Sequence, residues 1–151
     1  MKNNTLITLL ICFYTFNIFA NEPKLDQIIN GLDNPWSLTF VNNDKLLITE
    51  KSGNLLLVNL SNKKTQKIKH NLNILEDGQG GLLEVLYYKD QVFVSYTEDR
   101  KKGKTSTSVA KAEFNDLELN FQNIFRAEPP INSGYHFGSR LVIKDDFIYV
   151  T

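Results

Sequence analysis

Two glycine-framed loops hold the residues best suited to chemistry. Gly134-Tyr135-His136-Phe137-Gly138 sets a histidine between two aromatic neighbours and two glycines, just ahead of the apolar run Leu141-Val142-Ile143. An imidazole trades a proton near neutral pH, so His136 is a candidate general base; the competing reading is a turn residue ahead of a strand. Asp77-Gly78-Gln79-Gly80-Gly81 frames a neutral amide in a similar way, ahead of Leu82-Leu83-Glu84-Val85. Its glycines imply a backbone that turns sharply or is closely approached. The loop does not suit phosphate, because phosphate loops open a helix and this one leads into strand-like residues. It does not suit calcium either, because the carboxylates that should follow Asp77 at alternate positions are missing. Gln79 is then either a hydrogen-bonding group at a site or part of a plain turn.

The elements that must position these loops are strands. Short apolar and period-2 runs dominate, and no helical period appears after residue 20. Strands are expected at 25–30, 36–41, 45–50, 54–59, 65–69, 82–88, 91–97, 105–114, 121–126, 139–143 and 147–151, with a two-residue hairpin signal at Ser52-Gly53. A pattern repeats along them: Leu46-Leu47-Ile48-Thr49-Glu50 is echoed by Val92-Phe93-Val94-Ser95-Tyr96-Thr97-Glu98. The group starts Trp36, Leu82 and Ser139 are 46 and 57 residues apart. Four-stranded groups at such spacing read as propeller blades, each needing neighbours to bury its faces. Blade one spans 36–69, blade two 82–126, and blade three is begun. The segment 25–30 then suits the outer strand of a last blade. A two-sheet sandwich explains the strands but not the repeat. In a propeller, loops that precede the first strand of each blade reach the ring axis on one face, so Gln79 and His136 are expected to converge there.

The two ends of the chain read differently. Residues 1–20 combine a charged head, an apolar stretch of about 15 residues and Ala20 before polar sequence. This is the pattern of a secretory signal peptide; roughly 20 apolar residues would be needed to span a bilayer. The sole cysteine, Cys12, lies within that stretch, so residues 21–151 offer no disulfide and no thiolate metal site. Loss of residues 1–20 removes one Lys and no acid, leaving 16 basic against 17 acidic residues. Nothing in that balance suggests nucleic acid or an anionic membrane surface as partner. The last residues, Phe147-Ile148-Tyr149-Val150-Thr151, read as the middle of a strand, so residues 21–151 are expected to be the N-terminal part of a longer domain.

Four stretches, in order, carry a resemblance to a known family: Gly31-Leu32-Asp33-Asn34-Pro35-Trp36, Thr49-Glu50-Lys51-Ser52-Gly53, Asp77-Gly78-Gln79-Gly80-Gly81-Leu82-Leu83-Glu84-Val85 and Gly134-Tyr135-His136-Phe137-Gly138-Ser139-Arg140-Leu141. Together they resemble the soluble glucose/sorbosone dehydrogenases that use pyrroloquinoline quinone (PQQ), especially the aldose sugar dehydrogenase branch. The resemblance implies an all-β, six-bladed β-propeller with the quinone in its central mouth, of which this chain covers about two and a half blades. It implies oxidation of an aldose at the anomeric carbon to its lactone, with hydride transfer to PQQ. His136 matches the catalytic base and Gln79 the substrate-binding residue. The cofactor's own contacts are expected mostly beyond residue 151, as are the ligands of the calcium ion that accompanies it, so no metal ligand is expected in this stretch. An external electron acceptor, a sugar substrate, a possible homodimer and a periplasmic or secreted location are implied as well, with no membrane span after signal cleavage. Tyr135 departs from the glucose dehydrogenase branch, where an aspartate at that position orients the histidine; an aromatic or imidazole residue there is usual in the aldose branch. Tyr87-Tyr88-Lys89-Asp90 looks like a shortened form of a turn that many members carry.

Other candidates have simpler readings. Trp36 is expected to pack at a blade start, His70 to be a solvated loop residue, and Arg140 to anchor a loop or meet a cofactor carboxylate. Residues 98–104 form the solvated tip of a long hairpin, with the lysines Lys101, Lys102 and Lys104 offset by adjacent acids. Two rival functions stay open. A lactonase-type propeller would work through metal-ligating carboxylates and need no quinone. A binding propeller, for carbohydrate or protein, would take up no quinone at all.

Overall fold

The computed structural model describes residues 23–151. The expected signal peptide, residues 1–20, lies outside the described residues. The first blade is an antiparallel sheet of β1 (Pro35–Phe40), β2 (Lys45–Glu50), β3 (Leu55–Asn59) and β4 (Lys64–His70) in sequential order. The second joins β5 (Leu82–Tyr88), β6 (Gln91–Asp99), β7 (Thr105–Glu113) and β9 (Gln122–Arg126). A hairpin of β10 (Leu141–Lys144) and β11 (Phe147–Val150) starts the third. The described residues are thus all-β, two and a half blades of a β-propeller, and no described helix is long and apolar enough to cross a membrane.

Strand periodicity sorts the side chains into layers. Along β2, Leu47 faces the second blade while Leu46 and Ile48 face away; along β3, Leu55 and Leu57 point one way and Leu56 and Val58 the other. The inter-blade core joins Leu47, Leu55, Leu57 and Ile68 to Leu82, Val85, Val92, Val94 and Tyr96. Burial of each such aliphatic side chain contributes about 1.5–3 kcal/mol. Both faces of β2 and β3 are covered, which is why they read as unbroken apolar runs rather than as alternation. The next layer packs Phe93 and Val109 against Leu141, with Ile143, Ile148 and Val150.

Two expectations need correction, and one short strand was not expected. Residues 25–30 form no strand: no described segment lies beside them to complete a ladder, and Ile29 and Leu32 instead pack on the outer layer of blade one. The β2–β3 connection has three residues, not two. The Glu50 N–H donates to Asn54 O at 2.8 Å and the Gly53 N–H to Glu50 O at 2.9 Å, with Gly53 at φ +102°. A short strand, β8 (Glu118–Leu119), pairs in parallel with β4 and ties the β7–β9 connection of blade two to the edge of blade one.

Candidate functional site

The loops bearing Gln79 and His136 interlock. The Gln79 N–H donates to Gly134 O at 2.7 Å, and the His136 N–H donates back to Gln79 Oε1 at 3.1 Å. A backbone N–H can only donate, so its partner on Gln79 is the amide oxygen, and the Nε2 hydrogens remain to donate elsewhere. Both side chains are exposed at this junction. His136 has φ +64°, a left-handed backbone uncommon for a residue with a Cβ and a form of local strain that gathers at functional sites. Tyr135 stands beside it, 61 % exposed, with ring centroids 6.5 Å apart.

The glycines of the Gln79 loop answer to close backbone approach. Gly78 has φ +54°, and a Cβ there would lie 2.3 Å from Gly134 O. At Gly81 a Cβ would lie 2.2 Å from Lys51 O, an atom that also accepts the Leu82 N–H at 3.1 Å. Lys51 holds the loop from a second side, its Nζ donating to Gly78 O. Its stretch was legible in the sequence, but this role was not, since the contact spans two blades.

The β6–β7 hairpin is the platform for both loops. Thr97 N–H donates to Gly81 O at 2.9 Å and the Gly81 N–H to Thr97 Oγ1 at 3.2 Å. On the other strand, Thr107 Oγ1 donates to Phe137 O at 2.7 Å, while Thr105 and Ile131 exchange backbone bonds of 2.7 and 2.9 Å. The repeated Thr-Glu pair now has a physical meaning. Thr49 Oγ1 accepts the Ser37 N–H at 3.1 Å, as Thr97 accepts that of Gly81, so each threonine fastens the segment entering its blade's innermost strand. The glutamates that follow are buried and saturated. Glu50 accepts the Asp33 N–H and the Asn54 amide, and Glu98 accepts Ser108 Oγ at 2.6 Å, Arg126 Nε at 2.7 Å and Asn123 Nδ2 at 3.2 Å.

Two buried carboxylates near the platform are pushed in opposite directions. Burial raises Glu98, but the Arg126 and Ser108 hydrogen bonds and the charges of Arg126 and Arg100 outweigh it, leaving its carboxyl below the ordinary value of 4.5. Burial also raises Glu84, and there Arg140 and the Ser37 hydroxyl only partly offset it, so its carboxyl stays above that value. A depressed carboxyl stabilises the fold above its unfolded value and loses that contribution as pH falls through its folded value. Glu98→Gln is therefore expected to cost about 1–3 kcal/mol at neutral pH. Its stability should also fall less steeply than wild type below the ordinary carboxylate value, as thermal melts across pH would read.

The remaining candidates divide. His70 is not a solvated loop residue: it ends β4, its Nε2 lies 2.8 Å from Gly53 O, and its ring meets Phe121 edge-on at 6.3 Å. Trp36 is not buried: it is 45 % exposed and lines a groove of about 460 Å³ with Leu32, Pro35, Leu38, Ile48 and Arg140. Arg140 anchors its loop through Nη1 to Glu84 Oε1 at 3.1 Å. Among the described residues no three His, Cys, Asp or Glu side chains converge as a metal cage would.

Comparison with known proteins adds to this geometry. The family model for Glucose / Sorbosone dehydrogenase matches residues 32–151. Aldose sugar dehydrogenase YliI of Escherichia coli (strain K12) is 32 % identical over 128 residues, covering 79 % of this chain and 34 % of that protein. A crystal structure of glucose dehydrogenase superposes with a TM-score of 0.74 at 36 % identity, over 79 % of this chain and 37 % of the other. The PQQ-bound form of aldose sugar dehydrogenase from Streptomyces coelicolor shares the fold, with a TM-score of 0.71 at 18 % identity over 83 % of this chain and 40 % of that one. The chain spans about a third of the length of the curated relatives it matches.

Proposed function

The chain belongs to the glucose/sorbosone dehydrogenase family, and from that premise we propose that it forms part of an exported quinoprotein that oxidises an aldose at its anomeric carbon to the lactone. The observation that carries this reading is the His136 N–H bond to Gln79 Oε1, which joins the residue bearing an exposed imidazole to the one bearing an amide donor. PQQ, when bound, supplies the hydride acceptor. The residues present fit such a group: the exposed Gln79 amide keeps two N–H donors for carbonyl oxygens, and the Lys51 cation stands behind the Gly78 peptide.

In this proposal an imidazole nitrogen of His136 takes the proton of the sugar's anomeric hydroxyl as the carbon–hydrogen bond breaks. Gln79 Nε2 donates to a sugar oxygen and fixes which hydroxyl faces the base. An amide donor beside a proton-accepting side chain suits a neutral sugar, which needs orientation and offers no charge to pair. Calcium, an external electron acceptor, a possible homodimer and a periplasmic or secreted location form part of the proposal on the strength of the family resemblance.

The test is reconstitution of the full-length protein with PQQ and calcium, followed by aldose-dependent reduction of a small dye. Turnover that needs both sugar and quinone is expected. Sugar-lactone hydrolysis with no quinone present would favour the lactonase reading, and absence of quinone binding would favour a binding module.

A further inference from the structure

We propose that the tip of the β6–β7 hairpin is the docking site for an acidic redox protein that takes electrons from the mouth; this rests on the dehydrogenase reading above. The tip runs Asp99-Arg100-Lys101-Lys102-Gly103-Lys104, one acid and four bases, with the acid Glu98 just before it. In three dimensions the lysines are left as the outermost charges. Glu98 is buried and spends its oxygens on Arg126, Ser108 and Asn123. Asp99 Oδ1 accepts the Lys101 N–H at 2.8 Å within the turn. Arg100 is tied down by Ser106 Oγ at 3.0 Å and by Glu128, whereas Lys101, Lys102 and Lys104 are exposed. The local surface is cationic on a chain whose formal net charge is zero.

The position matters as much as the charge. At its base the same hairpin is bonded to the segments leading to both loops: Leu75 N–H to Thr97 O at 3.0 Å before Gln79, and Thr105 N–H to Ile131 O at 2.7 Å before His136. Asn73 Nδ2 also donates to Asp99 O at 2.9 Å. The lysines therefore stand on a rigid arm beside the rim where the reaction is proposed. Beside them lies an open depression of about 300 Å³, lined by Asn73, Glu98, Asp99, Arg100, Lys101 and Arg126. Its guanidinium groups are already paired, Arg126 with Glu98 and Arg100 with Glu128, so the Lys101 ammonium is the cation at its wall left to meet a partner's carboxylate side chain. The acids on the approach to Gln79, Glu76 and Asp77, are exposed, so the partner's acidic surface must centre on the tip and not on the loop.

Electron counting suits such a partner. Each aldose gives up two electrons and two protons; a one-electron haem protein removes the electrons in two steps, and the protons pass to solvent. Cations placed beside the exit raise the encounter rate of an acidic acceptor and make it depend on salt.

The test uses the full-length, PQQ-loaded protein with three acceptors: a neutral dye, an acidic c-type cytochrome and a basic one. Wild type is expected to favour the acidic cytochrome, with rates that fall as salt rises. Triple replacement K101E/K102E/K104E should lower kcat/KM for the acidic cytochrome at least tenfold, on the order expected for steered encounter, and leave dye reduction unchanged. The neutral set K101Q/K102Q/K104Q should fall between, which separates charge from misfolding. Unchanged acidic-cytochrome rates with normal dye reduction would overturn this proposal alone. No dye reduction by wild type would sink the dehydrogenase reading and this proposal with it. Salt-dependent binding of the wild type to anionic vesicles, with no charge preference among cytochromes, would assign the tip to lipid and overturn it.

Discussion

Replacing His136 by alanine in the full-length, quinone-loaded protein is expected to lower kcat for aldoses about 10²–10⁴-fold, the range lost with a general base. Quinone binding should persist, because the His136 group that braces the Gln79 loop is its backbone N–H, which alanine keeps. KM should move little if Gln79 orients the sugar. The left-handed backbone at His136 adds strain that alanine shares with histidine, so a loss of turnover without a loss of fold can be assigned to the imidazole. Stopped-flow reduction of the quinone and its equilibrium titration measure the two quantities separately. Equal loss of both would move His136 from proton transfer to loop structure.

Gly78→Ala is expected to have the second large effect, through positions alone. Its new Cβ would lie 2.3 Å from Gly134 O and 3.0 Å from Gly134 C, so one loop must move. The bond most exposed to that movement is Gln79 N–H to Gly134 O at 2.7 Å, and its reciprocal at His136 follows. A displacement of about 1 Å between reacting groups costs roughly 10²-fold in rate. The same substitution also costs about 1–2 kcal/mol for a left-handed residue with a Cβ. Gly103→Ala supplies the control: its φ is +71°, and an added Cβ there meets nothing within 4 Å. It should lose similar stability in a thermal melt and keep full dye-reducing activity, whereas Gly78→Ala should lose both.

Much of the architecture could be read from the sequence because blade strands are short-range objects. Leu46-Leu47-Ile48 and Leu55-Leu56-Leu57-Val58 announce strands covered on both faces, and the glycine loops announce close approach where the chain crosses between blades. What could not be read depends on partners far along the chain. Residues 25–30 have strand-forming composition, yet a strand exists only when another lies beside it. His70 looks solvated between Lys69 and Asn71 until Gly53 O and Phe121 close around it. Trp36 shares a strand face with Leu38 and Phe40, and that face is open among the described residues. The charge at residues 98–104 is the sharpest case. In sequence two acids stand beside four bases, whereas folding buries one acid, makes the other a turn brace and leaves the lysines outside.

The same logic holds for the site. Gln79 and His136 were identifiable as residue types in matching loops, and the structure adds that each loop braces the other. Lys51 and Thr97, which fix the Gln79 loop, carry no chemical signature of their own and emerge only from the contacts they make.

The most direct measurement is a single turnover. The full-length protein would be loaded with one equivalent of PQQ, mixed with an aldose in the absence of oxygen, and followed by quinone absorbance together with lactone formation. The oxidised quinone band is expected to disappear as one equivalent of lactone appears, and both events should slow together in His136→Ala. An unchanged band in the presence of sugar, or sugar turned over equally well with no quinone bound, would contradict the dehydrogenase reading.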